Sequence, residues 1–176
     1  MTCSKTGKKI YLAHSISTKA EFKDSIRVAN EIRDLGYEVY AAAENNSIND
    51  KSNDPTPIDI YEGDISEIMK CDIFVINLSG GLQDGTISEI GFVAGLNESV
   101  NRLRLRTLKE YNVFHEVRLI QIIAYTSNAR LLQPQFSAGI PSASANHLVL
   151  GMIDKWGGFV GSEKEMLNAL PEVITC

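Results

Sequence analysis

Cysteine is scarce in this sequence, and the cysteines that occur do not form a framework. Cys3, Cys71 and Cys176 are far apart and odd in number, and none belongs to a Cys-x-x-Cys pair or lies near a histidine pair. A disulfide scaffold and a zinc site are therefore not indicated. Cys71 adjoins an apolar run and is predicted to be a small core residue. We expect such a chain to reside in the reducing cytoplasm.

The sequence also lacks long apolar runs and an excess of positive charge. No stretch approaches the roughly 20 apolar residues of a membrane-spanning helix. The 22 acidic residues outnumber the 17 lysines and arginines, which gives a formal net charge of -5. We therefore expect no membrane partner and no nucleic-acid partner. The length of 176 residues predicts a single domain, residues 1–176, and a small polar substrate that carries little charge fits it best.

Strand-like and helix-like patterns alternate through most of the chain. Strands are predicted at 9–14, 37–43, 72–78 and 117–126, and helices at 18–36, 58–70, 86–96 and 146–154. The first helix opens with the capping-box pattern Thr18-x-x-Glu21, and Gly36 ends it. Residues 44–57 and 127–145 are predicted loops, and Ser162 opens a last short helix. This alternation favours an α/β fold with a parallel sheet between helices.

Residues 97–116 depart from the pattern because arginines and lysines are interleaved with leucines. The simpler interpretation is a solvated amphipathic helix, or an inserted segment that packs at a subunit contact. A phosphate-binding arm is the alternative, although no glycine-rich partner segment supports it.

Polar residues cluster where three predicted strands end, at 13–17, 44–46 and 79–89. Ligands of open α/β sheets bind at these carboxyl ends. In the third cluster, Gly80, Gly81 and Gly85 allow a tight turn. Glu89 is predicted in the first turn of the next helix, where the helix dipole favours its anion. Asp84 can face the same pocket, and one of two close carboxyls is pushed toward the neutral, proton-donating form.

A structural interpretation of Glu89 is also open, because Thr86-Ile-Ser-Glu89 fits a capping box. The loop matches neither the Walker pattern nor Gly-x-Gly-x-x-Gly, so a triphosphate or dinucleotide site is disfavoured. Spacing alone predicts an acidic pocket.

Three segments together resemble the nucleoside 2-deoxyribosyltransferase family: residues 9–13 (KIYLA), 64–72 (DISEIMKCD) and 84–91 (DGTISEIG). The likeness extends over roughly residues 8–97. It implies a flavodoxin-like, doubly wound domain with a mainly parallel sheet of about five strands. It also implies homo-oligomers (dimer, tetramer or hexamer) with shared active sites, and no metal or organic cofactor. Residues 97–116 look like an insertion relative to compact members.

The resemblance assigns roles to individual residues. Glu89 matches the nucleophile that attacks C1′ of the deoxyribose, Asp84 the loop acid that contacts the base and aids proton transfer, and Asp64 the helix aspartate of the site. A neighbouring subunit would lend Asn146 to the sugar 5′-hydroxyl. The candidate substrate-binding residues are Tyr11, His14, Asn46, Gly85, Ser88 and Asn146.

The implied reaction transfers a 2-deoxyribosyl group between purine or pyrimidine bases by double displacement, with a deoxynucleoside and a free nucleobase as partners. One alternative is a deoxynucleoside or 5′-monophosphate N-glycosidase that uses the same glutamate. The other is a non-catalytic flavodoxin-like binding module, which the His14-Ser15 ending of the first strand disfavours.

Overall fold

The computed structural model describes residues 7–80, 83–111, 118–128, 135–137, 140–142 and 146–170. Two short 3-10 turns, Ala42–Glu44 and Lys51–Asn53, accompany the regular elements. In chain order these elements are β1 (Lys9–Ala13), α1 (Lys19–Asp34), β2 (Glu38–Ala41), α2 (Asn46–Asn49), α3 (Pro57–Lys70), β3 (Ile73–Asn77), α4 (Asp84–Tyr111), β4 (Gln121–Tyr125), β5 (Gln135–Ser137), β6 (Ile140–Ser142), α5 (His147–Trp156), β7 (Gly157–Val160) and α6 (Glu163–Ala169).

The main sheet has five strands in the order β2-β1-β3-β4-β7, and every neighbouring pair is parallel. Counted in chain order within this sheet, the strand order is 2-1-3-4-5, which is that of flavodoxin-like folds. The predicted α/β class and doubly wound, parallel sheet are confirmed. Strands β5 and β6 form a separate antiparallel pair, so the prediction of a continuous loop over 127–145 is wrong at those residues.

Strand β7 is the sheet strand that the sequence patterns did not predict. It is four residues long and begins with two glycines, so it has little of the apolar content by which strands are recognised. The first glycine is required by packing. A Cβ atom at Gly157 would lie 1.6 Å from the backbone oxygen of Ile122 on β4, so the two strands pair only if this residue has no side chain.

Alternating strand residues divide the core into two layers. Ile10 and Leu12 face α1 and α6, whereas Tyr11 and Ala13 face α3, α4 and α5. Since both faces of the sheet are covered, its central strands are apolar on both sides between polar end residues, which are Lys9, Asn77 and Gln121. Cys71 is fully buried in the second layer, as predicted.

Helix α4 runs to Tyr111, so the prediction that this helix ends near residue 96 is wrong. Leucine and arginine are good helix formers, and Glu98 pairs with Arg102 one turn later and with Lys155 of α5. Leu103 is 65% exposed. The described part of the basic stretch is therefore a solvated helix, and residues 112–116 lie outside the described residues. In the described part of the chain, no helix is both long enough and apolar enough to cross a membrane.

The amide of Asn97 fastens α4 to the sheet. Asn97 is 1% exposed. Its Nδ2 donates to the backbone oxygen of Ile120 at 2.7 Å, and its Oδ1 accepts from the backbone nitrogen of Ile120 at 2.9 Å. The two bonds satisfy both backbone groups of the residue just before β4.

We predict that Asn97→Ala lowers the free energy of unfolding by about 2 to 4 kcal/mol, because two buried backbone groups lose their partners. Urea unfolding followed by circular dichroism measures this change. Asn101→Ala makes the same substitution one turn later on α4 and is expected to cost less than about 1 kcal/mol. Equal losses for the two variants would contradict the assigned role.

Candidate active site

Three aromatic side chains lie side by side across the strands that carry the site. Tyr40, Tyr11 and Phe74 occupy matching register positions on β2, β1 and β3. The ring centroids are 5.1 Å apart for Tyr11 and Tyr40 and 5.4 Å apart for Tyr11 and Phe74, in stacked geometry. The central ring is thus clamped from both sides, which fixes the position of the Tyr11 hydroxyl.

The Tyr11 hydroxyl donates a hydrogen bond of 2.5 Å to Oε1 of Glu89 on α4. The carboxyl is partly buried, and burial raises its pKa from 4.5 to about 7. The Tyr11 hydrogen bond opposes this rise, and the charge of Asp64 adds to it. Burial also raises the pKa of Tyr11 well above its usual value, so its hydroxyl stays protonated as a donor.

The predicted position of Glu89 within its helix is wrong. Helix α4 begins at Asp84, which makes Glu89 the sixth residue and places it in the second turn. Thr86 is therefore inside the helix and cannot be its N-cap, so the capping interpretation of Glu89 is also wrong. The expected stabilisation of the anion by the helix dipole does not dominate, because burial raises the pKa.

Asp64, on α3, is held in place by a tyrosine of strand β2. Its Oδ1 accepts a hydrogen bond of 3.0 Å from the Tyr40 hydroxyl, whose oxygen accepts one of 3.0 Å from Nδ2 of Asn45. Burial raises the pKa of the Asp64 carboxyl, while the hydroxyls of Tyr40 and Tyr11 act in the opposite direction. Because the charge of Asp64 raises the pKa of Glu89, we treat these two carboxyls as the carboxyl pair of the site.

Asp84 is not part of this pair. It is exposed at the first position of α4, and its Oδ1 accepts from the backbone nitrogen of Gly85 at 2.9 Å. Glu89 comes five positions later in the helix, which places it about 140° away around the helix axis. The predicted pairing of the Asp84 and Glu89 carboxylates is therefore replaced by a pairing of Glu89 with Asp64 from another helix.

Two of the other predicted residues lie on α4 beside Glu89. Gly85 is one turn before Glu89 on the same helix face, and a Cβ atom there would meet no atom within 4 Å. The missing side chain leaves open space on the side toward which the Glu89 side chain leans. Ser88 is exposed, and its hydroxyl donates to the backbone oxygen of Asp84 at 2.9 Å.

The remaining three predicted residues are His14, on the loop after β1, and Asn46 and Asn146, each at the start of a helix. The ring of His14 contacts the Ser15 carbonyl oxygen at 2.7 Å, Asp24 of α1 at 3.2 Å and Asn77 at 2.7 Å. Asn46 is exposed at the start of α2. Asn146 is the exposed N-cap of α5 and accepts from the backbone nitrogen of Leu148 at 2.8 Å. Its predicted role concerns a neighbouring subunit and stays a prediction.

Sequence reasoning missed Tyr40 and Asn45. The signal for Tyr40 was present, since it occupies the same position on β2 as Tyr11 does on β1 once the two strands pair in parallel register. The signal for Asn45 was obscured by its neighbour Asn46, because only the backbone turn decides which of two adjacent amides faces the site.

A cleft of about 390 Å³ opens beside the edge strand β2. Tyr40 and Asn45 belong to its lining, so it adjoins the residues that hold Asp64. The other lining residues are Val39, Ala41, Glu44, Gly63, Ser66 and Glu67. No group of three or more His, Cys, Asp or Glu side chains within the described ranges is arranged to hold a metal ion.

The model of one protein family matches most of the chain. It is described as nucleoside 2-deoxyribosyltransferase and matches residues 10–155. A comparison with curated proteins finds no match.

Solved structures share the fold at low sequence identity. A conserved protein from Enterococcus faecalis V583 has a TM-score of 0.70 and 22% identity, with 94% of this chain and 98% of that chain covered. The 2-deoxyribosyltransferase of Bacillus psychrosaccharolyticus has a TM-score of 0.58 and 15% identity, with 91% and 90% covered. The CMP N-glycosidase of Clostridium botulinum has a TM-score of 0.53 and 17% identity, with 94% and 99% covered.

The raised pKa of Glu89 predicts a dependence of stability on pH. The folded state holds this proton more tightly than the unfolded state does, so the free energy of unfolding should fall as the pH rises from 4.5 to about 7. Glu89→Gln removes this loss. We predict that the variant matches the wild type below pH 4.5 and is more stable above pH 7 by about 2 kcal/mol, after allowing for solvent screening. Urea unfolding across this pH range measures the difference.

Glu98→Gln is the matched control on the same helix. Hydrogen bonds from Lys155 and Arg102 lower the pKa of Glu98, so its stabilisation is present at neutral pH and is lost on acidification. The control should therefore be the less stable protein at neutral pH, which is the opposite sign. A stability difference for Glu89→Gln that does not change with pH would contradict the burial of its charge.

Proposed function

The chain belongs to the nucleoside 2-deoxyribosyltransferase family, and from this membership we propose that it exchanges the base of a deoxynucleoside through a covalent intermediate on Glu89. Its family makes it an enzyme of N-glycosidic bonds, of the glycosyl-transferring or glycosidase kind. The observation that carries the finer proposal is the hydrogen bond of 2.5 Å between Tyr11 and Glu89, with Asp64 as a second carboxyl beside it.

In the first half-reaction, a carboxylate oxygen of Glu89 attacks C1′ of the sugar. The bond between C1′ and the base nitrogen breaks, its electron pair goes to the base, and the base takes a proton from Asp64. The product is a free base and a deoxyribosyl ester of Glu89. A proton delivered in this way contributes about 10² to 10⁴ to the rate.

In the second half-reaction, a nitrogen of a new base attacks C1′ from the face that the first base left. The ester bond breaks, Glu89 regains its carboxylate, and Asp64 takes the proton that the incoming base releases. Two displacements at one carbon give net retention. The transition states resemble an oxocarbenium ion, which forms more easily without a 2′-hydroxyl, so a deoxy sugar is preferred.

We assign proton transfer to Asp64, because burial raises the pKa of this carboxyl and so favours the neutral form that can give a proton to the base. Asp84, exposed at the start of α4, remains a proposed contact of the base. The cleft lined by Tyr40 and Asn45 is the proposed place of the base, because these two residues hold Asp64. A raised pKa suits Asp64, because in this mechanism it must both give and accept a proton.

We also propose that the enzyme works as a homo-oligomer. Several large apolar side chains are exposed on α3 and α5, and such groups are candidates for a subunit contact. They are Ile58 (66% exposed), Tyr61 (61%), Met69 (60%) and Leu148 (72%). Asn146 lies next to Leu148 at the start of α5, so a partner that covers Leu148 would also be close to the residue predicted to serve a neighbouring site. Light scattering during size-exclusion chromatography tests this proposal.

The second candidate is hydrolysis, in which water collects the sugar from Glu89. A 5′-monophosphate substrate would need a phosphate contact, and Lys19 and Lys23 line a groove of about 290 Å³ beside the loop after β1. However, a Cβ atom at Gly80 would lie 3.1 Å from Oε1 of Glu21, so a carboxylate already adjoins the loop after β3. Glu21 also caps α1 with Thr18, which occupies donors that a phosphate would use. We therefore favour an unphosphorylated deoxynucleoside.

Incubation with deoxyinosine or thymidine and a different free base tests the function. We predict that chromatography detects the new deoxynucleoside, and that Glu89→Gln lowers the rate of its formation by about 10³-fold or more, as loss of a nucleophile does elsewhere. Glu98→Gln should retain the rate, since Glu98 is exposed and paired with Lys155 and Arg102 farther along α4.

The same assay separates the alternatives. Release of free base without a new deoxynucleoside would show that the enzyme hydrolyses the bond and does not transfer the sugar. Faster release of base from the 5′-monophosphate than from the nucleoside would identify a nucleotide substrate. Bound substrate without either product would contradict an enzymatic function.

A further inference from the structure

Asp64 is held by a chain of two side chains whose hydrogen bonds run in one direction. Nδ2 of Asn45 donates to the oxygen of Tyr40, and the hydroxyl of Tyr40 donates to Oδ1 of Asp64, each at 3.0 Å. A tyrosine hydroxyl has a single hydrogen, and an amide nitrogen can only donate. Because the Tyr40 oxygen accepts from Asn45, the Tyr40 hydrogen is directed to Asp64.

The cap of α2 fixes the orientation of the Asn45 amide. Oδ1 of Asn45 accepts from the backbone nitrogen of Ser47 at 3.1 Å and from the Ser47 hydroxyl at 2.5 Å. The backbone nitrogen can only donate, so the atom that faces it must be the oxygen, and the atom that faces Tyr40 must be the nitrogen. A helix cap thus sets the direction of the chain that ends at Asp64.

We propose that Asn45 and Tyr40 are positioning residues of the reaction: they keep Oδ1 of Asp64 as an acceptor and place its exchangeable proton on Oδ2. This inference rests on the proposed role of Asp64 as the group that exchanges a proton with the base. The proton that leaves Oδ2 in the first half-reaction returns to Oδ2 in the second, while the hydrogens of Tyr40 and Asn45 stay on their own atoms. Tyr40 and Asn45 therefore orient Asp64 and are chemically unchanged at the end of the reaction.

The groups that face Asp64 determine how its proton is held. Tyr11 from β1 and Tyr40 from β2 favour its anion, whereas burial favours its neutral form. The charge of Asp64 in turn raises the pKa of Glu89 on α4. Glu67, on α3, acts on Tyr40 and raises the pKa of that hydroxyl together with burial, the larger cause. Tyr40 therefore remains a protonated donor throughout the cycle.

Tyr40→Phe tests the proposal directly, because it removes the donor and keeps the ring. We expect the Asp64 carboxyl to titrate at higher pH, since its anion loses one hydrogen bond. The carboxyl signal can be followed by carbon NMR in protein labelled at aspartate, with Asp64→Asn to assign it. We also expect kcat to fall about tenfold, as for one lost hydrogen bond to a charged group, and the corresponding limb of the pH-rate profile to move to higher pH.

Tyr37→Phe is the matched control. Tyr37 is 4% exposed, and its hydroxyl donates to the backbone oxygen of Leu170 at 2.8 Å in the core layer on the other face of the sheet. The control loses one buried tyrosine hydroxyl bond, as Tyr40→Phe does, but should change neither the Asp64 titration nor the pH-rate profile.

Asn45→Ser tests whether Asn45 acts on Asp64 through Tyr40. Serine is a good N-cap, so the bond from the Ser47 backbone nitrogen can be kept while the amide donor is removed. We expect a smaller shift of the Asp64 titration than in Tyr40→Phe, and no further shift when Asn45→Ser is combined with Tyr40→Phe.

An Asp64 titration that is unchanged in Tyr40→Phe, or that moves as much in Tyr37→Phe, would overturn the positioning role. So would equal effects of Asn45→Ser in the presence and absence of the Tyr40 hydroxyl. The NMR titration needs no substrate, whereas the base-exchange assay decides the proposed function. The two claims can therefore fail separately.

Discussion

The candidate site depends on the hydrogen bond from the Tyr11 hydroxyl to the Glu89 carboxyl. It joins a central strand to the long helix α4, and the position of its donor is set by the sheet. Strand β1 lies between β2 and β3, and the parallel register places Tyr11 between the rings of Tyr40 and Phe74. The hydroxyl therefore has little freedom, and the carboxyl that it contacts is fixed in turn. Preorganisation of this kind is what a nucleophile at a sugar carbon requires.

Burial of the two carboxyls, Glu89 and Asp64, lowers the stability of the folded protein. A partly buried carboxyl is destabilised in its charged form, and a second one nearby makes the charge harder to accommodate. A hydrogen bond from a tyrosine hydroxyl lowers the pKa of each carboxyl, from Tyr11 for Glu89 and from Tyr40 for Asp64. Neither pKa is therefore raised by the full effect of burial. The site thus holds two carboxyls with raised pKa values, that of Glu89 at about 7, at some expense of stability.

Local signals in the sequence predicted much of the fold, but they predicted little of which side chains contact one another in the candidate site. The Thr18-Glu21 cap, the end of α1 at Gly36 and the apolar strands β1 and β3 could be predicted, because each depends on a few adjacent residues. Strand β7 could not, since its glycines serve a close contact with β4. The partner of Glu89 was predicted to be Asp84, its neighbour in sequence, whereas the sheet register brings Asp64 from another helix. The roles of Tyr40 and Asn45 likewise follow from strand pairing and a cap orientation, which a linear pattern does not encode.

The nucleophile assignment is tested most directly by locating the sugar on the enzyme. The protein would be mixed with a deoxynucleoside, quenched in acid within the first turnovers, digested and analysed by mass spectrometry. We expect one deoxyribosyl group on the peptide that contains Glu89, its loss when a second base is added before the quench, and no label in Glu89→Gln. A label on another residue, or an enzyme that turns over without any label, would contradict a covalent intermediate on Glu89.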